Sequence, residues 1–282
     1  MTEPETSIRT AELSALGLRT RVLETGPAES SEAVVLLHGG PGSADDWRGL
    51  LPRVGELARA VAFDLPGFGE ADKPASWEYS FSAFAIFIAA ALNQLGIARA
   101  HLVMGDIGSA GAFWAASHPD AFASVVVVNG GVLVGYRWHA LARLHRMPVV
   151  GRLVAAGARP ALPTAMRIYN RGGRELPADV VERWRRDYDW GTRRAMLRFY
   201  RSTQPAGLAR LAPVLRALDR PALVIWGAKD RFTPADQAER QRQSFPSAEV
   251  VMLERSGHYP HLDDPDAVAQ AVVPFLRRQL AA

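Results

Sequence analysis

A series of short, mostly uninterrupted apolar runs constrains this chain more than any other feature. They are Ala33 to Leu37, Ala60 to Phe63, His101 to Met104, Phe122 to Val128, Ala222 to Trp226 and Val250 to Leu253. A strand covered on both faces reads as a continuous apolar run, whereas a half-exposed strand alternates. Helical patterns separate most of these runs, at about Ala44 to Leu57, Phe81 to Leu95, Ile107 to Ser117, Pro234 to Gln243 and Pro265 to Leu280. Strands and helices alternating at this spacing predict an α/β fold, a mostly parallel sheet flanked by helices on both faces. Ahead of it, Ile8 to Leu13 and Leu18 to Leu23 alternate on either side of a turn ending at Gly17, which predicts an antiparallel hairpin.

One interval breaks the rhythm. From Leu133 to Leu218 there is no strand-like run, only Arg-rich amphipathic segments punctuated by Pro148, Pro160, Pro163, Gly172-Gly173 and Gly191. The expected organisation is therefore a core domain built from residues 1–132 and 219–282, with 133–218 inserted as an all-helical lid. With 282 residues, 48% of them apolar, the chain can bury a full-sized core.

Composition removes several chemistries. There is no cysteine, so disulfides, thiolate metal sites and cysteine nucleophiles are excluded together. No apolar stretch reaches the roughly 18 residues of a membrane span. Met1 to Thr10 is acidic and lacks a signal peptide's basic start and apolar run, so a cytoplasmic location is expected. The net charge is +4, carried almost entirely by arginines spread along the chain. The densest stretch, Arg183 to Arg201, is interleaved with Asp187 and Asp189, and a mixed-sign helix of this kind reads as a solvated face with local ion pairs rather than a nucleic-acid groove.

The chemistry centres on Leu102-Val103-Met104-Gly105-Asp106-Ile107-Gly108-Ser109, where a buried strand turns sharply into a helix. A small-x-nucleophile-x-small pattern at such a turn forces one residue into a strained conformation and presents its side chain at the sheet edge. Asp106 holds that position. Alone, an Asp before a helix is as readily an N-cap. Ser109 with Gly111 offers a displaced serine alternative, disfavoured because the strand would have to continue through Gly105, Asp106 and Gly108. Asp230 follows the Ala222 to Trp226 run and His258 follows the last one; singly these read as a turn residue and a surface histidine. Together with Asp106 they give the chain order nucleophile, acid, histidine. Asp230 would orient the imidazole, and His258 would act as general base on water. His261 is the nearest competitor for the base.

Four blocks carry a resemblance: His38-Gly39-Gly40-Pro41; Asp64-Leu65-Pro66-Gly67-Phe68-Gly69 with Asp72-Lys73-Pro74; the turn at Asp106; and Trp226-Gly227-Ala228-Lys229-Asp230 followed by Ser256-Gly257-His258. Nearly the whole chain resembles the α/β-hydrolase superfamily, and the turn resembles its epoxide hydrolase and haloalkane dehalogenase branch, in which an aspartate stands where most members carry serine. The resemblance implies an alkyl-enzyme ester at Asp106 that a His258-activated water hydrolyses, with the backbone N–H groups of Gly40 and Ile107 holding the oxyanion and His38 structural. No phosphate loop, dinucleotide fingerprint or metal-ligand cluster is visible in the sequence, and this mechanism needs only water, so no cofactor or metal is expected.

An epoxide needs an acid on its ring oxygen. Leu197-Arg198-Phe199-Tyr200-Arg201 resembles the segment that supplies a lid tyrosine in epoxide hydrolases, which nominates Tyr200, with Tyr169 a second candidate. The related dehalogenases place Trp after the nucleophile and Asn in the His-Gly-Asn-Pro loop; here those positions are Ile107 and Gly40, which favours the epoxide. Departures from the branch are Gly105 in place of a histidine, Met104 in place of a small residue, and Gly40 in place of an aromatic. An aromatic-rich lid, including Trp138, suggests a small apolar or aromatic substrate. Haloalkane dehalogenation and a non-hydrolytic tailoring or ligand-binding role on the same scaffold stay open.

Overall fold

The computed structural model describes residues 7–170 and 172–281. The first residues of the acidic N-terminus, 1–6, lie outside it. Eight strands, β1 (Arg9–Ala15), β2 (Leu18–Thr25), β3 (Glu32–Leu37), β4 (Arg59–Phe63), β5 (Arg99–Met104), β6 (Phe122–Val128), β7 (Ala222–Gly227) and β8 (Glu249–Leu253), form one sheet among the described residues, in the order β1-β2-β4-β3-β5-β6-β7-β8. The β1–β2 and β2–β4 pairs are antiparallel and the rest parallel. The expected fold class is the observed one, and each apolar run became a strand.

The apolar runs are continuous because both sheet faces are covered. Successive side chains point to opposite faces. Val35, Leu37, Leu102, Met104, Val125 and Val127 join one core, beneath α2 (Phe81–Gln94) and α3 (Gly111–Ser117); Val34, Leu36, Val103, Val126, Leu223 and Ile225 join the other, against α1 (Leu51–Gly55) and α12 (Pro265–Leu280). All twelve are essentially inaccessible to solvent, and each such aliphatic side chain contributes about 1.5–3 kcal/mol by leaving water. The predicted helix at Ala44 to Leu57 is instead a 3₁₀ turn, Ala44–Trp47, followed by the short α1. Asp64 explains the break: its carboxylate, in the loop after β4, accepts the Ala44 N–H at 2.7 Å and fixes the start of that turn.

Between β6 and β7 the described residues are helical: α4 (Ala140–Arg146), α5 (Val150–Tyr169), α6 (Ala178–Asp187), α7 (Trp190–Ser202), α8 (Pro205–Ala209) and α9 (Ala212–Leu218). After β7 come α10 (Asp236–Arg240) and, past β8, α11 (Pro260–Asp263). Pro160 and Pro163 do not punctuate the chain as the sequence suggests, since α5 runs through both. A proline removes the N–H that would bond the carbonyl four residues back. For Pro160 that carbonyl is Ala156, and it accepts from the Arg193 guanidinium at 2.6 Å instead.

Arg185 and Arg186 form the expected local ion pairs, with Glu182 and Asp187, whereas other arginines of α6 and α7 tie elements together. Arg183 meets the buried Asp46 at 2.7 Å, Arg194 donates to the Lys73 carbonyl at 2.7 Å, and Arg201 donates to the Met147 and Pro148 carbonyls at 3.0 and 2.9 Å. These contacts hold α7 over the carboxyl ends of the strands, where an open α/β sheet leaves its crevice. No helix among the described residues is long and apolar enough to cross a membrane.

Candidate active site

β5 ends at Met104, and the next two residues set the geometry. Gly105 is extended, and Asp106 adopts φ +47, a left-handed conformation that costs a non-glycine residue energy. Small neighbours permit the turn: a side chain at Gly105 would run into the Val128 carbonyl, and one at Gly108 into the Leu37 carbonyl. Met104, the departure from the small residue expected there, is accommodated because its sulfur lies over Gly111. Ser109 sits beyond the turn, and its hydroxyl accepts the Gly131 N–H at 2.7 Å.

The Asp106 side chain points back across the sheet to the loop after β3. Its Oδ2 accepts the Gly40 N–H at 2.7 Å, and the Ile107 N–H adds a second backbone donor. Burial pushes the carboxyl above the usual carboxylate range, opposed by the His258 charge and these two N–H groups. His38 anchors the same loop: its Nε2 accepts the Leu65 N–H at 2.9 Å, and its Nδ1 lies 2.7 Å from the Gly39 carbonyl. The ring is fully buried, which fits a structural part.

Asp230 and His258 come from the loops after β7 and β8 and meet at 2.7 Å between Oδ2 and Nδ1. Both are buried. Asp230 Oδ1 accepts the Phe232 and Thr233 N–H groups at 2.7 and 3.0 Å; Oδ2 accepts from Asn129 Nδ2 at 2.6 Å and from the Thr233 hydroxyl. Burial alone would raise the Asp230 pKa, but the positive charge of His258 and these hydrogen bonds outweigh it and hold the carboxyl below its usual range. For His258, burial disfavours the cation, and the neighbouring Asp230 outweighs that, so its pKa lies above 6.5. His261 is elsewhere: it stacks on Trp47 at 4.4 Å.

Asp106, His258, Gly40 and Tyr200 share one chamber, walled also by Trp138, His139, Phe199, Phe232 and Tyr259. The phenols of Tyr200 and Tyr259 have no hydrogen-bond partner among the described residues. Tyr136, in contrast, donates to the Phe232 carbonyl at 2.8 Å. Burial raises the pKa of Tyr200 well above 10, with the Asp106 charge adding to it, so its O–H stays protonated. Tyr169 does not reach the chamber; it stacks flat on Phe232 at 4.1 Å, one layer behind the wall.

Four contributors escaped the sequence reading. Asn129 (φ +46) follows β6 and steadies Asp230, taking the Gly227 N–H on its own Oδ1 at 2.9 Å. An Asn followed by two glycines directly after a strand was the available signal. Tyr259 is adjacent to His258 and was legible by that alone. Phe232 and His139 had no signal. His139 caps α4, its Nδ1 accepting the Ala142 N–H at 3.3 Å, and burial pushes its pKa down to about 3, with the His258 charge adding to the shift. It therefore faces the chamber as a neutral ring.

A carboxylate held by the Gly40 and Ile107 N–H groups, beside a carboxylate-paired imidazole, can in its ionised form attack carbon and then have the resulting ester attacked by water. Residues 32–265 match the α/β-hydrolase fold family. The chain belongs to that family. It is 30% identical over 274 residues to the 2-hydroxy-6-oxononadienedioate/2-hydroxy-6-oxononatrienedioate hydrolase of Burkholderia vietnamiensis, with 93% of each chain covered. Among solved structures it resembles haloalkane dehalogenase DatA from Agrobacterium tumefaciens C58, with a TM-score of 0.84, 21% identity and 97% of each chain covered. It also resembles epoxide hydrolase CorEH, with a TM-score of 0.81, 19% identity, and 96% of this chain and 99% of that one covered. At those identities the two structures share the fold alone. The Burkholderia relatives carry hydrolase names, and a hydrolase of the α/β-hydrolase family is the level that they support for this chain.

Proposed function

We propose that this α/β-hydrolase opens an epoxide to a diol through an ester on Asp106. The observation that carries the reading is the position of the Asp106 carboxylate itself: one oxygen lies on the Gly40 N–H at 2.7 Å. That oxygen is placed to become the carbonyl oxygen of an ester whose carbon water will attack, while the other oxygen is free to bond to the substrate.

The steps balance as follows. The free Asp106 oxygen bonds to a ring carbon of the epoxide and that carbon's bond to oxygen breaks. The Tyr200 O–H protonates the departing oxygen, an otherwise poor leaving group. Water then adds to the Asp106 Cγ, giving its proton to His258, and the oxyanion rests on the Gly40 and Ile107 N–H groups. Collapse breaks the bond from Cγ to the alkyl oxygen, and that oxygen takes the proton from His258. The proton released as Asp106 returns to its carboxylate restores Tyr200. A single turnover in ¹⁸O-labelled water should therefore leave the diol unlabelled and put the label in the Asp106 carboxylate. Label in the diol would mean that water attacks the epoxide directly, and would overturn the ester.

Tyr200→Phe should lower kcat for epoxides by on the order of 10²–10⁴-fold, the usual contribution of a positioned general acid. Its melting temperature should hardly change, because the phenol gives up no hydrogen bond within the described residues. Steady-state kinetics and thermal denaturation read the two effects separately. If Tyr259 donates as well, the double variant Tyr200→Phe/Tyr259→Phe falls further.

Dehalogenation is the second reading. Trp138, in the chamber wall, has a buried indole N–H without a partner, and an N–H donor is what a departing halide needs. Halide release from short haloalkanes tests it directly. The substrates named for the sequence relatives define a third assay: turnover of a 2-hydroxy-6-oxo-dienoate, with no adduct from epoxides, would move the site to that chemistry.

A further inference from the structure

Beside the reacting chamber lies a larger one. The two share Gly40, Tyr200, Phe232 and Tyr259, so a molecule bound to Asp106 stands at the entrance to the second. One long wall is α5, whose Val154, Gly157, Ala161 and Ala165 line it, Gly157 and Ala161 at exposed positions; Met196 of α7 and Leu141 of α4 line it too. From Leu153 to Met166 that wall covers about 20 Å of helix, at 1.5 Å per residue. Leu153 is 67% exposed although it lines the chamber, which marks an opening to solvent there.

No carboxylate, lysine or arginine is among the described residues lining this space. His145 is its one imidazole; burial lowers its pKa and its Nδ1 bonds the Leu141 carbonyl at 2.9 Å, so it too is neutral. A charged occupant would find no opposite charge to offset its lost hydration, only the Tyr200 and Tyr259 phenols and the neutral His145 ring, whereas each hydrocarbon group gains by leaving water. The space is also kept open by small side chains, and a carbon added at Gly157 would meet nothing within 4 Å.

We propose that the second chamber binds the unreactive arm of the substrate, and that this arm is a long, uncharged hydrocarbon chain. The inference rests on the reading that the reacting end is held at Asp106. It makes the enzyme selective for electrophiles carrying an extended alkyl or isoprenoid tail over compact ones.

Gly157→Leu is the test variant. It fills the chamber from a position with free space, and leucine favours a helix more than glycine does, so the protein should fold with an unchanged or higher melting temperature. With terminal alkyl epoxides from butyl to dodecyl, kcat/KM of the unaltered enzyme should climb with length, by up to roughly fourfold per buried methylene. In Gly157→Leu the dodecyl-to-butyl ratio should fall by on the order of 10²-fold, as about three to four methylenes lose their place. Calorimetry with dodecanol, which carries no electrophile, separates this idea from the proposed reaction: it should bind the unaltered protein and bind Gly157→Leu about 10²-fold more weakly. If no epoxide is turned over but dodecanol still discriminates, the arm site stands and the reaction assignment falls. A flat chain-length profile, or dodecanol that binds both proteins equally or neither, overturns the arm site.

Discussion

Protein carrying His258→Gln, mixed with an aryl epoxide, is expected to gain the whole mass of the epoxide on the peptide containing Asp106, and to stop there. Ester formation uses the Asp106 carboxylate and a proton from Tyr200; the substitution removes the His258 charge that favours the carboxylate but leaves the Gly40 and Ile107 N–H groups that do the same. Ester hydrolysis needs a base on water, and His258 is the imidazole beside Asp106 that is paired to a carboxylate, at 2.7 Å from Asp230. Glutamine cannot take that proton. The alkylation burst should therefore survive while kcat drops by on the order of 10²–10⁴-fold, the usual contribution of a positioned base. Intact-protein mass spectrometry with peptide mapping reads the result. An adduct smaller than a haloalkane by its halogen would assign the chemistry to dehalogenation instead. No adduct from either class, with the fold intact, would remove Asp106 from the role of nucleophile.

The sheet was legible because the cause of each strand is local. Val34, Leu36, Val35 and Leu37 serve two cores on opposite faces, and that double burial is written directly as an unbroken apolar run. The turn at Asp106 was legible for a related reason: Gly105 and Gly108 exist where backbone from β6 and β3 approaches too closely for a side chain. The helical segment was not legible at this level. Its helices are amphipathic, but periodicity does not say where they cross, so neither Tyr200, nominated by its flanking segment, nor Tyr169, the second candidate, could be placed; one reaches the chamber and the other stacks on Phe232. Nor could the sequence reveal that Arg193 would take the carbonyl that Pro160 leaves free, that of Ala156, 37 residues away along the chain, and so let α5 continue. His139 escaped notice because its neutrality comes from burial by Phe232 and Tyr200, neighbours in space only.

Asp230→Asn should cost as much as loss of the base, by a different route. Every hydrogen bond at the Asp230 carboxylate comes from a donor: the Phe232 and Thr233 N–H groups on Oδ1, and Asn129, Thr233 and His258 around Oδ2. An amide keeps an acceptor on only one side. With its oxygen on the Phe232 and Thr233 N–H groups, its NH₂ faces His258 Nδ1, which can accept only by surrendering its proton. The ring then carries hydrogen on Nε2, and the nitrogen that should take a proton from water has no free lone pair with which to take it. A substitution of this type in a carboxylate–imidazole pair costs on the order of 10⁴-fold in kcat through the wrong tautomer. The pH profile supplies the independent check. Asp230 is what raises the His258 pKa above 6.5 against the opposing effect of burial. Since the base works only when neutral, kcat of the unaltered enzyme should rise with pH through a midpoint above 6.5 and be lost below it. Without the carboxylate, burial acts unopposed by Asp230, and the midpoint of the residual activity should move to lower pH. Stopped-flow turnover across the pH range measures both. An Asp230→Asn enzyme that keeps its rate and its midpoint would show that the buried pair, for all its hydrogen bonds, does not tune the base.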